Sequence, residues 1–184
     1  MKKFFPLLIM IIAFLGFLTG QIFFEMVDTR AGQFTQSKEK FGLYENLYSE
    51  LSLVTTDGAK HKLKEVKSPA VLLNFWASWC QPCLKEFPTL NALREKFKPE
   101  ELLILGINND EENQDKLIKK IESEYALKFK SVKDANNEIT SKFHISEIPI
   151  SILYVKGKVV DVFYGESDFS SDSFASNLKE ALAR

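Results

Sequence analysis

The two cysteines of the chain, Cys80 and Cys83, are spaced as Cys-x-x-Cys, a pattern whose thiols can exchange with another disulfide. They follow an apolar run over residues 70–76, typical of a buried strand, and precede a helical stripe of apolar residues over 87–97. The unpaired N–H groups and the macrodipole at a helix start favour an anion, so the thiolate of Cys80 is the predicted nucleophile. Cys83, one turn into the helix, is placed to resolve a mixed disulfide.

A structural disulfide and half of a metal site are the two other roles open to this pair. A disulfide that closes a loop with two intervening residues removes little entropy from the unfolded chain. A zinc site would need two more ligands, and the only histidines, His61 and His144, are not paired at a metal-binding spacing. The position between a strand and a helix therefore favours a redox-active disulfide that needs no cofactor.

Residues 74–83, which read NFWASWCQPC, resemble the active site of the thioredoxin superfamily. Residues 84–88, LKEFP, look like the TlpA/ResA/CcmG-like branch of membrane-anchored thiol–disulfide oxidoreductases. Residues 147–152, EIPISI, are similar to the loop that holds the superfamily's cis-proline beside the cysteines. The resemblance covers roughly residues 47–184 and implies a thioredoxin-like fold.

The resemblance implies that a proline loop forms the second half of the site. Pro149 matches the cis-proline, and Trp79 and Ile148 are the expected substrate contacts. A proline cannot donate to a sheet ladder, so the backbone beside it can face a visiting peptide. The alternative is an ordinary trans proline that opens a strand. Glu147 occupies a position where many relatives have a small residue, and it is either a solvated loop charge or a carboxylate that acts on the thiolate or steers a basic partner.

The resemblance also implies a proton acceptor behind the cysteines. Asn74 stands where thioredoxin itself has a buried aspartate. In ResA-like proteins a carboxylate at the end of the following strand serves there, and Asp110 is the nearest match, with Glu111 next. The same segment, residues 108–113, is also typical of a helix N-cap with an acidic first turn. His144 is either a proton donor near the cysteines or a surface histidine.

The amino terminus predicts a membrane anchor. Two lysines precede an uncharged stretch over residues 4–24, which as a helix spans about 30 Å and could cross a bilayer. Basic residues at that end favour its retention in the cytoplasm, so the catalytic domain is expected in the periplasm or at the cell exterior. A cleaved signal peptide is the alternative, but no small-x-small site follows the apolar part. A single-pass anchor in the cytoplasmic membrane is therefore predicted.

Three parts are predicted along the 184 residues: the anchor at 1–24, a polar tether at 25–46 and a thioredoxin-like domain at 47–184. The domain is expected to be α/β, with a central mixed sheet flanked by helices, an N-terminal hairpin and an extra central strand and helix. The 24 basic and 25 acidic residues are balanced, which argues against a partner nucleic acid, because such binding needs a basic patch.

The predicted function is reduction of protein disulfides through the two cysteines. The resemblance implies apocytochrome c as a substrate before haem attachment, and a membrane thiol donor as the reductant. A thiol oxidase or an isomerase on the same fold is the rival enzyme, because the sequence leaves the reduction potential open. A peptide-binding module and a copper chaperone are the rivals without catalysis. Copper binding usually recruits His or Met, whereas Met10 and Met26 lie in or next to the predicted anchor.

Overall fold

A computed structural model describes residues 16, 17, 19, 21 and 41–184. The predicted anchor and tether therefore fall largely outside the described residues. Within the described part of the chain, no helix is both long enough and apolar enough to cross a membrane. Residues 43–184 form one compact unit. This unit begins slightly before the predicted boundary at residue 47, because the side chain of Tyr44 is fully buried in its core.

The described helices and strands follow the order expected of a thioredoxin-like domain. A short hairpin comes first, a βαβ unit carries the cysteine motif, and a second hairpin and a helix close the chain. In order, the elements are α1 (41–50), β1 (Ser52–Val54), β2 (Lys60–Lys62), β3 (Ala70–Trp76), α2 (Gln81–Lys96), β4 (Leu102–Asn108), α3 (Gln114–Glu124), β5 (Lys130–Lys133), α4 (Glu138–Lys142), β6 (Ile150–Val155), β7 (Lys158–Tyr164) and α5 (Asp172–Ala183).

The central sheet is mixed, as predicted, and has the strand order β5-β4-β3-β6-β7. Strands β3, β4 and β5 are parallel, while β6 and β7 join as antiparallel neighbours. Every residue of β3 is buried, and its side chains alternate between two apolar cores. Leu72 and Trp76 pack on the face with α2, and Leu73 and Phe75 pack on the opposite face. Because β3 is central and covered on both faces, its end is a rigid support for the cysteine loop.

Helix α2 is held against the sheet by its buried side chains, Phe87 and Leu90 among them. The ring of Phe87 meets that of Trp76 edge to face, with centroids 5.2 Å apart. Pro82 lies in the first turn, where a missing N–H leaves no hydrogen bond unmade. The helix continues through Pro88 to Lys96. The cysteines therefore lie where β3 ends and α2 begins, at the carboxyl edge of the parallel strands.

We expect Gly106→Ala to destabilise the fold. A Cβ at Gly106 would lie 2.7 Å from Nε1 of Trp76, whose buried indole has little room to move. Overpacking of this kind costs about 1–3 kcal/mol, to be measured by urea unfolding of the oxidised chain. Gly42→Ala is the matched control, because no described atom lies within 4 Å of the added methyl group. Equal midpoints for the two variants would mean that the core tolerates the methyl group.

Candidate active site

Cys80 and Cys83 form a disulfide, with their Cα atoms 5.3 Å apart. Cys80 is the N-cap residue of α2, and its sulfur accepts a hydrogen bond from the backbone N–H of Cys83 at 3.3 Å. The same N–H group and the helix N-terminus would stabilise a thiolate at Cys80. Cys83 is the more enclosed of the two, at 1% exposed against 5%. The roles of Cys80 as nucleophile and Cys83 as resolving cysteine stay predictions.

Asp110 holds the loop that leads into Cys80. Its buried carboxylate accepts hydrogen bonds from the backbone N–H of Ser78 at 3.1 Å and from the Ser78 hydroxyl at 2.9 Å. The side-chain amide of Asn108 donates to the same carboxylate at 2.8 Å. Helix α3 begins after this segment, with Asn113 as its N-cap residue and Asp115 in its first turn, so the segment 108–113 does lead into a helix cap, although Asp110 itself is not the cap residue. The proton relay through Asp110 or Glu111 stays a prediction.

A buried carboxylate that the sequence interpretation missed lies on α2, three residues after Cys83. Glu86 and Asn74 are each 1% exposed, and the Asn74 side-chain amide donates to Oε1 of Glu86 at 2.7 Å and to the hydroxyl of Ser151 at 2.9 Å. The backbone N–H of Ser167 donates to Oε2 of Glu86 at 3.0 Å. Burial raises the pKa of Glu86 to about 7, although these hydrogen bonds oppose the shift. Glu86 can therefore change its protonation state near neutral pH.

One signal in the sequence could have identified Glu86. On a helix, residues three and four apart share a face, so Glu86 lies on the same face as Cys83 and Leu90. That face is the apolar stripe that packs on the sheet. A carboxylate inside an apolar stripe is rarely buried without a partner. The position therefore predicts a buried acid with polar neighbours, although not which neighbours.

The proline loop ends beside the cysteine loop. The Ile148–Pro149 peptide bond is cis. The next residue, Ile150, pairs with Phe75 near the end of β3. Because Phe75 lies just before the segment that leads to Cys80, this pairing brings the two loops to the same edge of the sheet.

A cleft of about 440 Å³ opens at this edge. Trp79 and Ile148, the predicted substrate contacts, both line it, and Trp79 is 68% exposed. Glu111 and Glu147 line it as well, whereas His144 is exposed but not among the lining residues. The other lining residues are Asn109, Asn137, Thr140, Ile145 and Ser146. Among the described residues, no group of three His, Cys, Asp or Glu side chains is arranged to hold a metal ion.

The family is identified by a match over most of the domain. The family model described as the AhpC/TSA family matches residues 46–162. The chain belongs to the AhpC/TSA family. For this AhpC/TSA protein the matched residues run from α1 to β7 and include both cysteines and the proline loop.

Relatives of this AhpC/TSA protein define its activity class. The thiol–disulfide oxidoreductase ResA of Bacillus thuringiensis (strain Al Hakam) is 38% identical over 118 residues, which cover 62% of this chain and 67% of the relative. The thioredoxin-like protein YneN of Bacillus subtilis is 31% identical over 134 residues, covering 71% and 78%. The crystal structure of StoA from Bacillus subtilis has a TM-score of 0.57 at 26% identity, covering 71% of this chain and 94% of StoA. The predicted thioredoxin-like fold and the predicted class, a thiol–disulfide oxidoreductase, are thereby confirmed.

Proposed function

We propose that this protein reduces disulfides of partner proteins outside the cytoplasmic membrane, with Cys80 as the nucleophile and Cys83 as the resolving cysteine. The observation that carries the proposal is the disulfide at the N-terminus of α2, beside an open cleft. Trp79 and Ile148 contact the bound substrate in this proposal, and Pro149 lies beneath its backbone. The disulfide itself supplies the redox chemistry, so no further cofactor takes part.

In the proposed reaction the thiolate of Cys80 attacks one sulfur of the substrate disulfide. The substrate S–S bond breaks, one substrate thiolate leaves, and a mixed disulfide forms. The thiolate of Cys83 then attacks the sulfur of Cys80, which closes the Cys80–Cys83 disulfide and releases the second substrate thiolate. The substrate gains two electrons from the enzyme, and two protons end on the substrate thiols. The disulfide seen in this structure corresponds to the oxidised end of the cycle.

Glu86 is the group that we propose for proton exchange with Cys83. The Cys83 thiol must lose its proton before the second attack, and Glu86 lies one turn further along α2. With its pKa at about 7, both forms of the carboxyl group are present near neutral pH, so Glu86 can accept a proton and later release it. Asn74 and the N–H of Ser167 orient the carboxylate. Asp110 has a separate, structural role in this proposal, because it accepts the hydrogen bond from Ser78 that fixes the loop before Cys80.

The proposed partners are apocytochrome c, with its cysteine pair as the disulfide to be reduced, and a membrane thiol donor that returns the enzyme to its dithiol form. The support is the similarity to proteins named ResA, together with the resemblance of residues 74–88 to the branch that serves cytochrome c maturation. The proposed location is the cytoplasmic membrane, with residues 1–24 as an anchor and the catalytic domain facing the periplasm or the cell exterior.

A fusion protein tests the proposed location, and a redox titration tests whether the protein acts as a reductant or as an oxidant. Alkaline phosphatase fused after Arg184 should be active in a bacterial host, because alkaline phosphatase needs an oxidising compartment to form its own disulfides. An inactive fusion of the full chain, made in normal amount, would refute the proposed topology.

The reduction potential of the Cys80–Cys83 pair should lie below about −200 mV, in the range of reductants rather than of strong oxidants. A potential near about −120 mV would make the protein an oxidase.

A further inference from the structure

The cleft beside the disulfide is lined by two carboxylates and by none of the described basic residues. Glu111 comes from the segment after β4 and Glu147 from the proline loop, and both side chains are exposed. From this arrangement we infer that the enzyme selects disulfides whose neighbouring residues are Lys or Arg, with Glu147 and Glu111 as the specificity-determining residues. The inference rests on the proposed function, because it names the class of peptide that enters the same cleft.

The two carboxylates are available to a visiting cation. Neither Glu111 nor Glu147 forms a hydrogen bond or an ion pair with another described residue. Two lysines of nearby elements pair with other carboxylates: Lys142 with Glu138 at 2.7 Å, and Lys133 with Asp115 at 2.8 Å. Among the described residues no Lys or Arg lines the cleft, so the two carboxylates give its lining a net negative charge.

Trp79 supplies the second observation in favour of a cationic peptide. Its indole is 68% exposed and lines the same cleft as the two carboxylates. Lys and Arg bind to the face of an indole through cation–π attraction, and Trp is the strongest partner among aromatic side chains. An exposed tryptophan beside unpaired carboxylates therefore favours a segment with a long cationic side chain over an acidic segment.

The size of the preference follows from the exposure of the carboxylates. Each exposed ion pair contributes little. We therefore expect each carboxylate to favour a disulfide flanked by Lys over one flanked by Glu by about two- to fivefold in exchange rate. Two carboxylates acting on one peptide should therefore give a preference on the order of tenfold at low salt. Screening over about 10 Å at 0.1 M salt should reduce this preference as the ionic strength rises.

The test uses two synthetic peptides that each contain one disulfide and differ only in their flanking residues, Lys in one and Glu in the other. The full chain, purified in detergent and reduced beforehand, is mixed with each peptide, and the rate constant of thiol–disulfide exchange is measured. Each rate is divided by that of the same peptide with dithiothreitol, which removes the effect of flanking charge on the peptide's own reactivity. The comparison is repeated with Glu147→Gln, Glu147→Lys and Glu111→Gln, with Glu124→Gln as the control at an exposed site on α3.

We expect the parent to prefer the Lys peptide, each Gln variant in the cleft to lower the ratio by about two- to fivefold, and Glu147→Lys to lower it further. Glu124→Gln should keep the parental ratio. Equal normalised rates for the two peptides in the parent, or an unchanged ratio in both Glu147→Gln and Glu111→Gln, would overturn the inference and leave the reductase intact. Failure of the reduced chain to react with either peptide would refute the proposed function, and the inference with it.

Discussion

Replacing Cys80 with Ser is expected to lower insulin reduction to the rate without enzyme. A serine hydroxyl cannot form a disulfide, so neither the first attack nor the closing of the Cys80–Cys83 bond can occur. No other cysteine in the chain can take over the attack, because these are the only two. The measurement is the turbidity of reduced insulin with a chemical dithiol as the electron source.

Cys83→Ser is the matched variant, because it removes the same disulfide from the fold and so carries the same loss of stability. It should also fail to turn over, but its Cys80 should form a mixed disulfide with insulin, and this adduct should persist on a non-reducing gel. Cys80→Ser should form much less of this adduct, since Cys83 is the more enclosed sulfur. The opposite pattern, with the stable adduct on Cys83, would reverse the roles of the two cysteines.

Glu86→Gln is expected to change how the stability of the domain depends on pH. A carboxyl whose pKa is raised by folding from 4.5 to about 7 favours the folded state most below pH 4.5, where both states hold the proton. This contribution declines as the pH rises towards 7, because the unfolded chain then releases a proton that the folded protein retains. The loss amounts to about 3 kcal/mol above pH 7. Gln does not titrate, so the variant lacks this decline.

The measurement is the free energy of unfolding in urea for the oxidised parent and variant between pH 4.5 and 8. The stability of Glu86→Gln relative to the parent should rise by up to about 3 kcal/mol over this range. Using the change with pH, rather than the absolute difference, separates the titration from the altered hydrogen bonds to Asn74 and Ser167. Glu100→Gln, at an exposed position, serves as the control. A difference that stays constant with pH would show that Glu86 keeps an ordinary pKa.

The anchor and the location of the domain remain predictions from the sequence, because residues 1–15, 18, 20 and 22–40 lie outside the described part of the chain. The cysteine motif, unlike the anchor, lies within the described residues, and its structural context could be predicted from short-range patterns. An apolar run predicts the buried strand β3, a stripe at helical spacing predicts α2, and two cysteines between them lie at a helix N-terminus. Such patterns depend on neighbours along the chain, so the sequence by itself determined the fold class, the disulfide and the order of the elements.

The tertiary structure alone decided what surrounds the cysteines. Glu86 meets Asn74 and Ser167, which are 12 and 81 positions away, and Asp110 meets Ser78 at a separation of 32. Atoms from distant elements become neighbours only on folding. They decide whether a carboxylate is buried and which hydrogen bonds offset the cost of its burial. The resemblance to ResA-like proteins implied a carboxylate behind the cysteines, with Asp110 as the nearest match. Packing of α2 and the loop before α5 around Glu86 also buried that side chain, and this desolvation raised its pKa to about 7.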